Sequence, residues 1–114
     1  YKNISLSPAN PAIHYGQSIF EGLKAYKSPE NEVLVFRPFE NFSRMNISAE
    51  RMMMPQLTEE IFIEGLRGLI DLDRNWVPDV DETALYIRPF MFATDDFIGI
   101  KPSDTYKFMS NRFF

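Results

Sequence analysis

Two arginine-bearing segments hold the residue types best suited to chemistry. In LYIRPFM, strand alternation puts Leu85, Ile87 and Met91 on one face and Tyr86 with Arg88 on the other. An arginine in so apolar a strand is costly unless it has a partner or reaches water. It reads either as an edge-strand arginine, paired or snorkelling outward, or as part of a Tyr86–Arg88 pair facing an anionic ligand. The planar guanidinium fork suits a carboxylate, because it can engage both oxygens. Arg44, in ENFSRMN, lies off the apolar stripe of its segment. Taken alone it reads as a solvated helix arginine, and the alternative is a phosphate contact.

A third segment is HYGQSIFEG. Gly16 and Gly22 permit backbone geometries that other residues avoid, and Tyr15 and Phe20 could wall an apolar pocket. His14 could serve as a base, but no Ser or Cys nucleophile motif accompanies it, and a structural histidine is the plainer reading. GQSIFEG lacks both the spacing and the lysine of a phosphate-binding P-loop.

Composition removes other classes of function. Cysteine is absent, which excludes disulfide frameworks, thiol catalysis and thiolate metal sites. With one histidine, no multi-histidine metal site is possible, and no metal is expected. The net charge is −4 with both signs interspersed, so no basic stripe for nucleic acid is present. No apolar run has membrane length, and the start lacks the pattern of a signal peptide. A cytoplasmic setting is expected. The eleven Phe and six Met either form a soft aromatic core or leave apolar surface for a second domain or subunit.

These residues must be positioned by a small set of elements. Residues 6–11 carry two prolines and an Asn and read as loop. Residues 22–27 and 33–37 read as strands joined by SPENE, a hairpin with a loop of about five residues. Pro38 suits a first helical position, and Phe39, Phe42, Met45, Ala49 and Met52 make one apolar stripe ended by Pro55. Thr58 is an N-cap for a second helix, with Glu59 and Glu60 favoured in its first turn. Phe62, Leu66, Leu69 and Trp76 mark its expected buried face, and Pro78 its stop. Residues 84–93 form the strongest strand candidate, and a last strand runs from Tyr106 to the end. Strands, two helices, then strands predict an α+β fold: a small antiparallel-rich sheet with two helices.

The motifs carry a resemblance. HYGQSIFEGLKAYK, FRPFENFSRMNISAERMMMP, WVPD, LYIRPFMFAT and IGIKPS follow in the order and spacing of the small N-terminal domain of branched-chain amino acid aminotransferases, a group of fold type IV pyridoxal-phosphate enzymes. The resemblance runs from about Ile4 to Met109 and is looser toward D-amino acid aminotransferases and aminodeoxychorismate lyase. It implies amino transfer between leucine, isoleucine or valine and 2-oxoglutarate, with pyridoxal 5'-phosphate as cofactor and a homodimer as the assembly. By position, it implies that Arg44 binds the cofactor phosphate. It also implies that Tyr15 and Phe20 line the substrate pocket, that Tyr86 and Arg88 help recognise a substrate carboxylate, and that Ile100 reaches the pocket of the neighbouring subunit.

The resemblance equally implies what residues 1–114 lack. The family's cofactor-holding lysine lies downstream, in a larger C-terminal domain, and none of Lys2, Lys24, Lys27, Lys101 and Lys107 stands in a matching stretch. The chain is expected to be the N-terminal small domain only, inactive by itself. Its start at Tyr1 rather than Met fits a piece of something longer. The closing SNRFF departs from the family pattern and is assigned no role. A stand-alone interaction domain that has lost catalysis is the competing reading.

Overall fold

The computed structural model describes residues 2–113, so Tyr1 and Phe114 lie outside the description. Helix α1 (Pro11–Tyr15) leads into strands β1 (Ser18–Phe20) and β2 (Leu23–Lys27), followed by β3 (Val33–Val35). Helices α2 (Pro38–Arg51) and α3 (Glu59–Leu72) come next, then a 3-10 turn (Arg74–Trp76) and the two long strands β4 (Leu85–Ala93) and β5 (Tyr106–Phe113). The fold is α+β with a wholly antiparallel five-stranded sheet, as the element order predicts.

Strand β4 organises the sheet. β5 pairs along one of its edges, and β1 and β2 share the other. β1 and β2 are one line of chain. Phe20 pairs with Phe90 and Leu23 with Ile87, so the register continues unchanged across Glu21 and Gly22. The ladder breaks there for a chemical reason. The Pro89 carbonyl accepts from the Glu21 amide at 2.9 Å, and the N and O of one strand residue point to the same side. The donor that proline lacks is therefore missing at this gap.

The alternation predicted for β4 holds. Leu85, Ile87 and Met91 are buried beneath α2 and α3 with Met45, Ala49, Phe62 and Leu66. Tyr86, Arg88 and Phe90 point to the face that carries neither α2 nor α3, next to Phe20 of β1. The Phe62 ring packs between Phe42 and Phe108, with centroids 5.7 and 6.2 Å away. Burying a side chain of this size contributes about 1.5–3 kcal/mol.

The helix starts also hold. Pro38 opens α2, and Thr58 Oγ1 accepts from the Ile61 amide to cap α3. Four details depart from the sequence expectation. The strand at 33–37 stops at Val35, because Arg37 adopts a left-handed φ of 48° as it turns into α2. The stop of α2 comes before Pro55: Met53 is left-handed at φ 53°, and the Met54 amide reaches back to the Ala49 carbonyl at 2.8 Å, a Schellman-type closure. Trp76 is not on the buried face of α3. It sits in the 3-10 turn, 53% exposed, with the Arg112 guanidinium 4.7 Å above its ring. Helix α1 and strand β1 were not anticipated. Among the described residues no helix is long and apolar enough to cross a membrane.

Candidate active site

Arg88 sits in the middle of the sheet, which removes the edge-strand reading: both edges of β4 are occupied. Its Nε and Nη2 donate to Tyr86 Oη at 3.2 and 3.0 Å. The guanidinium carbon lies 4.4 Å from the Phe20 ring centroid and 5.4 Å from that of Tyr86. Alternation on β4 puts Tyr86 two residues away on the same face, and β1 brings Phe20 alongside. Aromatic faces attract a cation through their quadrupole, so the two rings fix the guanidinium plane. Among the described residues no carboxylate pairs with Arg88. Two of its five N–H donors go to Tyr86, and the other three make no hydrogen bond to the described residues.

Gly22 is part of the same arrangement. A Cβ at this position would lie 2.7 Å from Tyr86 Oη and 3.2 Å from its Cε2. Glycine supplies space here rather than a special φ, and it lets the Tyr86 hydroxyl reach over the backbone to Arg88.

Arg44 comes from α2, on the other side of the Glu21–Gly22 backbone. Its Nε and Nη2 donate to the two oxygens of Glu21 at 3.1 and 2.7 Å. The carboxylate is nearly buried, whereas the Arg44 side chain is 62% exposed. Asn41 Nδ2 also donates to Glu21 Oε2 at 3.0 Å and to the Gly22 carbonyl at 3.1 Å. The hydrogen bond to Glu21, then its charge, pushes the Arg44 pKa further up. Arg44 and Tyr86 line one groove of about 420 Å³ with Gly22, Lys24, Arg37 and Glu40. Arg37 pairs with Glu40 at 3.3 Å, while Lys24 has no ion-pair partner among the described residues. The groove thus offers an anion Lys24 and the N–H groups of the exposed Arg44 side chain that Glu21 does not take.

Tyr15 and Ile100 are not brought to this cluster. They line a separate groove of about 450 Å³ with Gln17, Arg51, Met52, Met53 and Lys101, and none of Phe20, Arg44, Tyr86 and Arg88 borders it. Tyr15 ends α1, which stops at Gly16 with φ 64°, a conformation glycine adopts without penalty. Ile100 is 99% exposed at the tip of the β4–β5 loop. Two polar residues tie α1 to that loop. Asn10, fully buried, accepts from the Ala12 amide and donates to the Ala93 carbonyl, each within 2.9 Å. Gln17 donates to Tyr106 Oη and accepts from the Ser103 amide. Asp95 accepts from the Asp104 and Thr105 amides and the Thr105 hydroxyl at the loop's base. The first of these bonds contributes most to holding its pKa down at about 2.

His14 has the structural role: its Nε2 lies 2.6 Å from the Pro8 carbonyl and donates to it. Lys101 pairs with Asp104 at 2.9 Å. Among the described residues no cluster of His, Cys, Asp or Glu could hold a metal ion. Sequence reasoning missed Glu21, Asn41 and Gln17. Signals existed: Glu21 falls between Ile19 and Leu23 on the core-facing side of its strand, and Asn41 precedes Met45 and Ala49 at helical spacing.

No family model matches the chain. Curated relatives do. It is 48% identical over 109 residues to branched-chain-amino-acid aminotransferase 2 of Bacillus subtilis and 52% identical over the same length to a probable branched-chain-amino-acid aminotransferase of Staphylococcus aureus. Among solved structures, the T.th. branched-chain amino acid aminotransferase superposes with a TM-score of 0.79 at 25% identity, covering 97% of this chain and 36% of that one. The Escherichia coli enzyme superposes at 0.70 and 28% identity, covering 96% of this chain and 35% of that one. The chain matches the N-terminal domain of the branched-chain aminotransferases. The match takes in 96% of this chain and 30% of the length of those two curated relatives. The T.th. aminotransferase has been solved with 4-methylvaleric acid, with pyridoxamine 5'-phosphate and with N-(5'-phosphopyridoxyl)-L-glutamate.

Proposed function

We propose that the chain is the N-terminal domain of a pyridoxal-phosphate-dependent aminotransferase that moves the amino group between leucine, isoleucine or valine and 2-oxoglutarate. The observation that carries this reading is Arg88. It is a half-buried cation in a central strand, held by Tyr86 and Phe20, and among the described residues no carboxylate pairs with it. The same arrangement lies within a sequence about half identical to branched-chain aminotransferases.

The donor set suits both anions of the reaction. Arg88 would take a substrate carboxylate, with Tyr86 Oη fixing the guanidinium plane. Arg44 would take the cofactor phosphate through the N–H groups that Glu21 leaves unused. Its exposure and its place beside Gly22 and Lys24 support that role. When bound, the pyridoxal group supplies the electron sink that amino transfer needs. The residues of this chain bind and orient, and Phe20 excludes water from one side of Arg88.

Tyr15 and Ile100 belong to a second element. Their separation from Phe20 and their exposure favour a role in the site of a neighbouring subunit within a homodimer, and a cytoplasmic setting is part of the same proposal. The lysine that holds the cofactor would lie in a C-terminal domain outside residues 1–114, and these residues alone would neither transaminate nor hold pyridoxal phosphate tightly.

The test is amino transfer by the full-length protein. Turnover of leucine, isoleucine and valine with 2-oxoglutarate is expected. Failure with all three, alongside turnover of D-alanine, would move the protein to the D-amino acid enzymes. A borohydride-trapped cofactor mapped to a lysine within residues 1–114 would overturn the assignment of the covalent step elsewhere.

A further inference from the structure

Glu21 stands out because it is a carboxylate at the junction of β1 and β2, on the core-facing side between Ile19 and Leu23, and nearly buried. A buried carboxylate is costly unless hydrogen bonds and an opposite charge compensate it. Three N–H groups do so here: two from Arg44 and one from Asn41. Arg44 gains from the pair in a different way. Its side chain is mostly exposed, and a long exposed arginine otherwise samples many rotamers. The two-point grip of a rigid carboxylate selects one plane for the guanidinium, facing the groove that Gly22, Lys24 and Tyr86 also line. Asn41 fastens the grip to the backbone, since its amide also donates to the Gly22 carbonyl.

We propose that Glu21 is a positioning residue: braced by Asn41, it holds the Arg44 guanidinium in the orientation that receives the phosphate of the cofactor. This rests on the reading of Arg44 as the phosphate contact. The alternative role of the same carboxylate is competition, because a negative charge beside Arg44 repels a phosphate. The two roles predict opposite signs, so they separate cleanly.

The experiment uses the full-length enzyme with its cofactor removed. Dissociation constants for pyridoxal phosphate and for pyridoxal, which lacks the phosphate, are read by titrating absorbance or intrinsic fluorescence. The quantity of interest is the preference for the phosphorylated form. Arg44→Ala should cut that preference strongly. Glu21→Gln, which keeps shape and one acceptor but loses the charge, should cut it about tenfold, the scale of one charge-assisted hydrogen bond. Pyridoxal affinity should stay unchanged in both variants. In the Arg44→Ala background, Glu21→Gln should have no further effect on the preference.

If Arg44→Ala leaves the preference intact, the phosphate reading of Arg44 fails and the inference falls with it. If Arg44→Ala lowers the preference while Glu21→Gln leaves it unchanged or raises it, the positioning role fails and the phosphate reading stands. Glu21→Asp is the second variant should Glu21→Gln not fold. It keeps the charge but shortens the reach by one methylene, and it should lower the preference as well. An unchanged preference in Glu21→Asp overturns the inference on its own.

Discussion

Replacing Gly22 by alanine tests whether the site depends on a gap in the backbone. A Cβ there would stand 2.7 Å from Tyr86 Oη, 3.2 Å from Cε2 and 3.3 Å from Cζ. Ordinary contact requires the hydroxyl to retreat by roughly 0.7 Å, a small displacement for the far end of a partly exposed side chain. The bonds from Arg88 are 3.0 and 3.2 Å, so such a retreat takes them out of range unless Arg88 moves too. Overpacking costs about 1–3 kcal/mol, and the half-exposed tyrosine puts this case at the lower end. Removing a strand glycine returns about 0.5–1 kcal/mol. Losing one Arg88–Tyr86 bond adds about 0.5–1.5 kcal/mol, so the net expectation for Gly22→Ala is a loss of about 1 kcal/mol, or roughly 4 °C in Tm for a domain of this size. The assay is a double-mutant cycle by thermal or urea denaturation. In a Tyr86→Phe background the nearest atom is gone, and Gly22→Ala should cost clearly less. An equal cost in both backgrounds would refute the reasoning, because the hydroxyl would then not be what the glycine accommodates.

Phe20→Leu removes the ring over Arg88 and should destabilise by about 0.5–1 kcal/mol, read by denaturation. Phe62→Ala opens a cavity under the sheet between Phe42 and Phe108 and should cost about 3–5 kcal/mol in urea denaturation. Asp95 supplies a pH dependence. Its folded pKa is depressed to about 2 from an ordinary 3.8, so its contribution is complete above the ordinary value and disappears as pH falls through about 2. Hydrogen exchange at the Asp104 and Thr105 amides should therefore lose protection between those limits, and Asp95→Asn should remove most of that pH dependence.

Local chemistry made much of this legible from residue order. The alternation of LYIRPFM announced which side of β4 meets the helices, because a strand has only two faces. Pro38 and Thr58 marked helix starts through the constraints of their own backbones and side chains. The same reasoning failed where a distant contact decides. Trp76 continues the apolar spacing of α3, yet a turn at Asp73 carries it out to stack with Arg112 from β5. Strand β1 is only three residues long and exists because β4 offers it an edge.

By itself, the sequence determined the family likeness that the motifs carry, and it singled out Arg44 and Arg88 as two cations whose guanidinium forks suit anions. Tertiary structure decided how those cations are held. Sheet register placed Phe20 and Tyr86 around Arg88. The antiparallel return of β4 beside β2 made Gly22 a spacer for Tyr86. The packing of α2 against β1 joined Arg44 to a carboxylate more than twenty residues earlier, Glu21. Spacing along a chain can report which residues share a face of one element, because that follows from backbone geometry alone. Which face meets which partner depends on how the elements pack together, and the ion pair between Glu21 and Arg44 exists only at that level.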